Sequence, residues 1–250
     1  MPGSDKIAPL EIAPLDINPT DRLFVLTGAG VSAESGLPAF RDNGGLWNGY
    51  RVEEVATPDA WREDAARVWN FYSMRRRDAG LAEPNPAHIA LAHLEARLGD
   101  RLYLCTQNVD DLHERAGSRR VIHMHGDLFR SRCERECGRG DFADHGIYES
   151  AAQIPRCACG GRIRPHIVWF GEMPLYMDDI LAEIDRCTML LVVGSSGTVH
   201  PAASFAQWAR RRGVRTIYVG PEQPLNASLF TQIILAKAGE ALPALFRRSK

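Results

Sequence analysis

Four short apolar runs, separated by segments of helical periodicity, set the hydrophobic pattern of the chain. Residues 22–27, 101–106, 188–193 and 215–219 are rich in strand formers on successive positions, as expected of strands buried on both faces. Asn85 and Pro86 supply an N-cap and a first-turn proline for a helix that closes at Gly99, and Pro201 opens a helical segment through Arg212. This alternation predicts an α/β fold with a doubly wound, Rossmann-like parallel sheet.

Two stretches interrupt the alternation and predict a smaller inserted module. Residues 46–84 are rich in Trp and Arg and are expected to be helical, whereas residues 131–161 are rich in Cys and Gly. Each stretch is short for an independent core, so we expect the two to pack together. The predicted organisation is a flexible arm over residues 1–19 and one domain over residues 20–250, with its core in 20–45, 85–130 and 162–250.

Composition and charge narrow the class of protein. The 250 residues are 45% hydrophobic, and 30 basic against 31 acidic side chains leave a net charge of −1, which offers no general attraction to nucleic acid or to a membrane surface. The first twenty residues lack an apolar signal segment, and the longest apolar stretch, Met189 to Val193, is far too short to cross a bilayer. We expect a cytoplasmic monomer without nucleic acid or membrane partners.

Glycines follow the first predicted strand directly. Gly28, Gly30, Ser32 and Ala33 match the pattern in which glycines let a turn approach a pyrophosphate closely. The alternative is a glycine turn of the kind that joins any strand to a helix. No strand ending in an acidic residue follows about 20 residues later, which disfavours a hydride-transfer enzyme.

Polar residues follow the second predicted strand, at the sheet edge where ligands of open α/β proteins bind. Gln107, Asn108 and Asp110 would place amides and a carboxylate near a ribose or a carboxamide, although capping of the next helix explains the same residues. His125 precedes Gly126 and is a candidate general base, because histidine exchanges protons near neutral pH. Most of the eight histidines are expected to be structural or exposed.

Five segments in order resemble the sirtuins. They are Gly28–Arg41, Gln107–Asp110, His123–Gly126, Arg164–Glu172 and Gly194–Gly197, within a resemblance that extends from about Leu23 to Leu242. The resemblance implies an NAD-dependent protein-lysine deacylase that consumes NAD and acts on acyl-lysine proteins or peptides. The implied products are free lysine, nicotinamide and 2′-O-acyl-ADP-ribose.

The same resemblance implies roles for individual residues. His125, rather than His123, is the implied base, and Asn108 is the second implied catalytic residue. Asn108 and Asp110 hold the nicotinamide end of NAD. Gly220 stands where the family often has Asn for the adenosine ribose. The implied NAD-binding set is Gly28, Ala29, Gly30, Ser32, Ala33, Phe40, Arg41, Trp47, Gln107, Asn108, Val109, Asp110, Gly194, Ser195, Ser196, Glu222 and Ala238, of which Ala29, Phe40 and Arg41 belong to the mobile loop over the cofactor.

Four of the six cysteines form two close pairs. Cys133 and Cys137 are separated by three residues, and Cys157 and Cys159 by one, whereas the family usually has two pairs separated by two residues. Four thiolates favour a closed, tetrahedral structural zinc site over magnesium or calcium. The alternative is a coincidental cluster of cysteines.

A Tyr-x-x-Arg pair indicates which acyl group the enzyme prefers. Tyr72 and Arg75 would share one helix face, and a phenol with a guanidinium can bind a carboxylate. The pair, with the small residue Ala56, resembles class III sirtuins, which prefer succinyl, malonyl or glutaryl lysine. The alternative is that Arg75 to Arg77 form a solvated basic face.

Another segment is expected to bind the peptide that carries the acylated lysine. By the resemblance, the segment of Val168, Phe170, Gly171 and Glu172 pairs as a strand with the substrate backbone. Three other functions stay open on the sequence: mainly deacetylation, NAD-dependent mono-ADP-ribosylation of a protein, and a silent module that binds NAD or acyl-lysine.

Overall fold

The computed structural model describes residues 11–38, 46–47 and 49–247. The strands are β1 (Leu23–Thr27), β2 (Leu46–Trp47), β3 (Tyr50–Arg51), β4 (Leu102–Thr106), β5 (Val121–His123), β6 (Gly126–Cys133), β7 (Asp141–Ala143), β8 (Ile163–Ile167), β9 (Met189–Val193), β10 (Arg215–Gly220) and β11 (Gln232–Leu235). The α-helices are α1 (Val52–Val55), α2 (Pro58–Glu63), α3 (Ala65–Leu81), α4 (Pro86–Leu98), α5 (Leu112–Arg115), α6 (Met177–Arg186), α7 (Phe205–Arg211) and α8 (Ala238–Leu245).

Within these residues, one parallel sheet has the strand order β11-β10-β9-β1-β4-β5. β1 lies inside the sheet, where Leu23 is opposite Leu102 on one side and Met189 on the other. Alternate residues of β1 face opposite layers: Leu23 and Val25 pack with α4 and α8, whereas Phe24 and Leu26 pack with α6 and α7. The predicted doubly wound α/β fold is confirmed.

A second apolar core joins the helices α1 to α3 to an antiparallel sheet of order β7-β6-β8. Trp69 of α3 packs in this core with Leu128 of β6 and Ile167 of β8. Arg76 of α3 crosses the boundary and donates hydrogen bonds to the carbonyl oxygens of Leu128 at 2.5 Å and Gly146 at 2.6 Å. From the second inserted stretch, the partly buried Tyr148 and Ile154 pack against this core, so the two inserted stretches are in contact.

Local structure departs from the sequence expectation in four respects. β5 and β11 are short strands that the hydrophobic pattern did not single out. The segment after β1 forms two 3-10 turns, Ala29–Val31 and Ala33–Ser35, and the helical segment expected from Pro201 begins with the 3-10 turn Ala202–Ser204. Residues 168–172 follow β8 as a loop and turn instead of a strand. No helix in the described part of the chain combines the length and apolar character of a membrane span.

Candidate active site

The loops that follow β1 and β9 meet at the carboxyl edge of the sheet. The Gly30 amide donates to the Gly194 carbonyl oxygen at 2.9 Å, and a Cβ added to Gly30 would lie 2.7 Å from the Gly194 Cα. Gly194 has φ +63°, and a Cβ there would lie 2.6 Å from the Val31 nitrogen. Only glycine at both positions lets the two loops pack backbone against backbone, and we call this meeting of the loops the glycine cradle.

A buried polar cluster lies beside this cradle. Ser32 accepts a hydrogen bond from the Asn108 amide at 3.0 Å and donates one to Asp110 Oδ2 at 3.1 Å. Burial raises the pKa of the Asp110 carboxyl, against the lowering effect of hydrogen bonds from the Leu112 amide and the Ser32 hydroxyl. The cluster brings together three predicted NAD-binding residues from two separate loops.

Gln107 connects the loops after β4 and β9. Its side-chain nitrogen donates to the Ser195 hydroxyl at 3.0 Å, and its backbone nitrogen donates to the Thr27 carbonyl oxygen at 2.9 Å. Its own carbonyl oxygen lies 3.1 Å from Nδ1 of His125. Because a carbonyl oxygen only accepts, Nδ1 of His125 carries the proton and Nε2 keeps the lone pair.

The two histidines of this segment have different protonation states. His123 Nε2 lies 2.8 Å from a Glu114 carboxylate oxygen, and Nδ1 lies 3.1 Å from the Asn108 carbonyl oxygen, so both ring nitrogens donate. Burial opposes the charge, but the Glu114 carboxylate raises the pKa of His123 above its ordinary value. Burial lowers the pKa of His125, although its bond to Gln107 opposes this. His125 is the histidine that stays neutral and can accept a proton.

A network beneath the cradle was missed by the sequence reasoning. Thr27 ends β1 and donates to the Thr106 hydroxyl at the end of β4 at 2.8 Å, and Nε2 of His113 lies 3.0 Å from the Thr27 hydroxyl. The Thr106 hydroxyl oxygen accepts from the Asn108 backbone nitrogen at 3.0 Å. Burial holds the pKa of His113 well below its ordinary value. The available signal was a threonine at the end of each predicted strand.

Tyr72 and Arg75 lie on one face of α3, as their spacing predicts. Tyr72 is fully buried, and burial raises the pKa of its phenol to about 12. Arg75 is half-buried. Burial lowers the pKa of its guanidinium, and the electrostatic interactions with Tyr72, Asp110 and Asp78 act in the opposite direction. The electrostatic interaction with Asp110 couples Arg75 to the polar cluster of the cradle.

The segment after β8 closes against the helices of the inserted module. The Phe170 amide donates to the Ala56 carbonyl oxygen at 3.0 Å, and the Val168 amide donates to the His125 carbonyl oxygen at 2.9 Å. Phe170 and Gly171 are exposed, whereas Ala56 is buried in the same core as Tyr72. The predicted substrate-binding residues thus lie between the base and the Tyr-x-x-Arg pair.

Glu172 has a different environment from the rest of that segment. Both of its carboxylate oxygens accept from the Arg164 guanidinium, at 2.7 and 3.0 Å, and Oε2 also accepts from the Trp169 backbone nitrogen at 2.8 Å. The Arg164 guanidinium carbon lies 3.3 Å from the Trp169 ring centroid. Glu172 therefore supports Trp169 from within the protein, and sequence reasoning had missed both Arg164 and Trp169.

The remaining predicted residues are spread along the same edge. Ser196 is exposed and bonds to the Thr198 hydroxyl at 2.7 Å, and Glu222 is exposed beyond β10. The space of a side chain at Gly220 is taken by the Tyr218 hydroxyl. The other placed residues are the half-buried Ala29, the exposed Ala33, and the buried Gly28, Val109 and Ala238. Phe40 and Arg41 lie outside the described residues, and Trp47 is described only by its place in β2.

All four cysteines of the two pairs converge. The Sγ atoms of Cys133, Cys137, Cys157 and Cys159 lie within 4.8 Å of one another, with Cys133 and Cys159 3.4 Å apart and Cys137 and Cys157 3.5 Å apart. Tetrahedral Zn²⁺ with Zn–S bonds of about 2.3 Å places sulfurs about 3.8 Å apart, and the four soft donors suit it. A Cβ on Gly161 would come within 3.0 Å of the Cys133 sulfur, so this glycine gives the thiol its room. The four cysteines could bind one zinc ion.

Comparison with known proteins finds similar sequences and structures in one family. The Sir2 family model matches residues 28–201. The NAD-dependent protein deacylase of Caulobacter vibrioides is 47% identical over 230 residues, which cover 91% of this chain and 96% of that protein. A Sir2 homolog solved with NAD is 41% identical with a TM-score of 0.79, covering 92% of this chain and 93% of that one. A mutant Sir2 homologue solved with 2′-O-acetyl-ADP-ribose is 43% identical with a TM-score of 0.80, covering 88% of each chain.

The fold and site define an NAD-binding α/β enzyme that carries a four-cysteine module. The chain belongs to the Sir2 family. The predictions of the family, of an NAD-dependent protein deacylase as the class of enzyme, and of NAD as its cosubstrate are confirmed.

Proposed function

We propose that this enzyme uses NAD to remove acidic acyl groups, succinyl or malonyl, from protein lysines, and that it also accepts acetyl. The observation that carries the acyl preference is the pairing of Tyr72 and Arg75 on one face of α3, beside the polar cluster. An acyl carboxylate is ionised at pH 7 and needs a cation or hydrogen-bond donors once it leaves water.

The two side chains supply complementary contacts. Arg75 is positively charged and presents a planar set of donors that matches a carboxylate. Tyr72 is a neutral donor at pH 7, because burial holds the pKa of its phenol at about 12. Ala56 is the small residue that leaves room for the longer acyl chain in this core. An acetyl group reaches neither donor and gains nothing from them.

The chemical step needs a base that is neutral and correctly oriented. NAD supplies the ribose to which the acyl group passes and the nicotinamide that leaves. Ser32, Asn108 and Asp110 hold the nicotinamide end, and Nε2 of His125 accepts the proton of a ribose hydroxyl while Gln107 keeps Nδ1 protonated. The homologue bound to 2′-O-acetyl-ADP-ribose supports 2′-O-acyl-ADP-ribose as the product here.

The remaining predicted residues complete the proposed site. Val168, Phe170 and Gly171 contact the substrate backbone, and the residues of the glycine cradle with Glu222 and Ala238 contact NAD. The proposal also includes a monomer in the cytoplasm, where reduced thiols can hold zinc. Gel filtration at micromolar concentration tests the monomer.

The experiment measures kcat/KM on matched succinyl-lysine and acetyl-lysine peptides with NAD. We expect Arg75→Met to lower kcat/KM for the succinyl peptide about tenfold or more, because a hydrogen bond to a charged group contributes about 1.5–3 kcal/mol. The matched control is Arg77→Met on the same helix, since Arg77 is exposed and pairs with surface Glu149.

Three outcomes separate the alternatives. An acetyl preference that Arg75→Met does not alter would remove the acid-pocket proposal and leave a deacetylase. ADP-ribosylated protein without deacylated peptide, identified by mass spectrometry, would indicate an ADP-ribosyltransferase. NAD recovered intact with both peptides would indicate a silent binding module.

A further inference from the structure

Trp169 hydrogen-bonds the residue that the acyl carboxylate is proposed to contact. Its indole nitrogen lies 3.2 Å from the Tyr72 hydroxyl oxygen, and both side chains are buried. An indole N–H can only donate, whereas a phenol both donates and accepts. The Tyr72 oxygen therefore accepts from Trp169, and the hydrogen of the hydroxyl is left for a different acceptor.

Trp169 is itself held in place from several sides. The Arg164 guanidinium stacks 3.3 Å from its ring centroid, and Glu172 binds both Arg164 and the Trp169 backbone nitrogen. The Trp61 ring packs at a centroid distance of 5.9 Å. The direction of the indole N–H is thus fixed by packing and by an ion pair, before any ligand binds.

A fixed donor on the phenol oxygen has two effects on that hydroxyl. It removes rotational freedom, so less conformational entropy is lost when an acyl carboxylate accepts the hydrogen. It also polarises the O–H bond, because hydrogen bonds in a chain strengthen one another in a buried environment. Neither effect reaches an acetyl group, which has no carboxylate.

We infer that Trp169 is a positioning residue for acyl specificity, which acts by orienting the Tyr72 hydroxyl toward the acyl carboxylate. The inference rests on the proposed preference for acidic acyl groups. It adds to the Tyr72–Arg75 pair a third residue, from the loop after β8, that touches the acyl group only through Tyr72.

The test compares the succinyl to acetyl ratio of kcat/KM in the single variants Trp169→Phe and Tyr72→Phe and in the double variant. Trp169→Phe should lower this ratio about three- to tenfold, which corresponds to the loss of one neutral hydrogen bond. The loss should come from a higher KM for the succinyl peptide. In the Tyr72→Phe background, Trp169→Phe should leave the ratio where Tyr72→Phe alone has set it.

Two further measurements control for packing. Replacing Trp169 by benzothienylalanine keeps the bicyclic shape and removes only the N–H, so it answers the question if Trp169→Phe folds poorly. Trp69→Phe is the matched control, because Trp69 is also fully buried in the same core but donates to the Ile163 backbone oxygen. This control should leave the ratio at the wild-type value.

Each contrary result has a distinct meaning. If Tyr72→Phe lowers the ratio and neither replacement of Trp169 does, the inference fails and the acid pocket stands. If Trp169→Phe lowers the ratio equally in the presence and absence of the Tyr72 hydroxyl, Trp169 acts by packing alone and the inference is wrong. If Tyr72→Phe leaves the ratio unchanged, the Tyr72 hydroxyl does not contribute to the acyl preference and the inference fails, whereas the acid pocket is then decided by Arg75→Met alone.

Discussion

Two histidines separated by one residue have opposite protonation states, and their neighbours explain the difference. His123 donates through both nitrogens to Glu114 and to the Asn108 carbonyl, which stabilises the imidazolium. His125 donates once, to a backbone carbonyl, in surroundings where burial disfavours a charge. The acceptors around a histidine ring, rather than its place in a motif, therefore determine whether that histidine can act as a base.

The lowered pKa of His125 makes a prediction for the pH dependence of the enzyme. The base must be neutral, so activity is lost only as pH falls through its lowered pKa. We expect the acidic limb of kcat/KM to lie below the ordinary histidine value of 6.5. The measurement uses an acetyl-lysine peptide between about pH 5 and 8, because its acyl group does not titrate in this range.

Two controls accompany this pH profile. His125→Ala should lower kcat about a hundredfold or more at every pH. Glu114→Gln should lower the pKa of His123, which can be followed by NMR, without moving the acidic limb. An acidic limb at or above the ordinary value, or one that follows Glu114→Gln, would assign the titration to another group.

At the scale of elements, α3 places three consecutive arginines in three environments. Arg75 is half-buried beside Tyr72, Arg76 is almost fully buried, and Arg77 is exposed. The interpretation of this run as a solvated basic face is therefore wrong for Arg75 and Arg76. A helix turns by about 100° per residue, so consecutive side chains point in different directions. When one side of a helix is packed and the other is exposed to solvent, these side chains have different surroundings.

Arg76 gives a prediction about stability. Its guanidinium pairs with Asp144 and binds the carbonyl oxygens of Leu128 and Gly146, and the Arg76 and Asp144 side chains are 1% and 9% exposed. Arg76→Met leaves a buried carboxylate without its counter-charge, so we expect the free energy of unfolding to fall by about 3 kcal/mol or more. Urea unfolding measures this change.

The matched control for Arg76→Met is again Arg77→Met. Arg77 and Glu149 are about half exposed, and a surface pair of this kind contributes at most about 1 kcal/mol. Equal losses for the two variants would mean that the buried ion pair does not hold the module together.

The sequence predicted the elements whose signals are local. β1, β4, β9 and β10 contain apolar residues on successive positions. As the capping residues predict, α4 begins at Pro86 after the N-cap Asn85, whose side chain accepts from the Ala87 amide. β5 and β11 contain only three and four residues, so their sheet position depends on distant partners. The candidate site divides in the same way. Sequence motifs identified His125 and Asp110, whereas the roles of Arg164 and Trp169 depend on contacts that form only in the folded protein.

At the scale of the whole molecule, two cores share one chain and meet at the active site. The parallel sheet supplies the cradle and His125, and the inserted module supplies Tyr72, Arg75 and Ala56. Among the described residues, the apolar neighbours of the cysteine cluster are Ile163 and the partly buried Phe142, so its apolar core is small. A domain part with so little apolar surface depends on a metal for much of its stability.

Removal of zinc therefore makes a prediction for the whole protein. The purified enzyme should contain about one zinc ion per chain, and a strong chelator should lower its melting temperature and abolish deacylation. Cys137→Ser should lose the metal. Cys187→Ala is the matched control, because Cys187 is a buried cysteine outside the cluster, and it should keep the metal. Full zinc content in Cys137→Ser would contradict a four-cysteine site.

β6 begins one residue after His125 and ends at Cys133, so a single strand of eight residues joins the imidazole to the metal cluster. Inserting or deleting one residue in it would reverse which side chains face α3 and would displace either the base or the thiol. The length of this strand is thus constrained by two unrelated chemistries at once. Across the descendants of one ancestral gene, changes of length should accumulate between Cys137 and Cys157 and be excluded from β6.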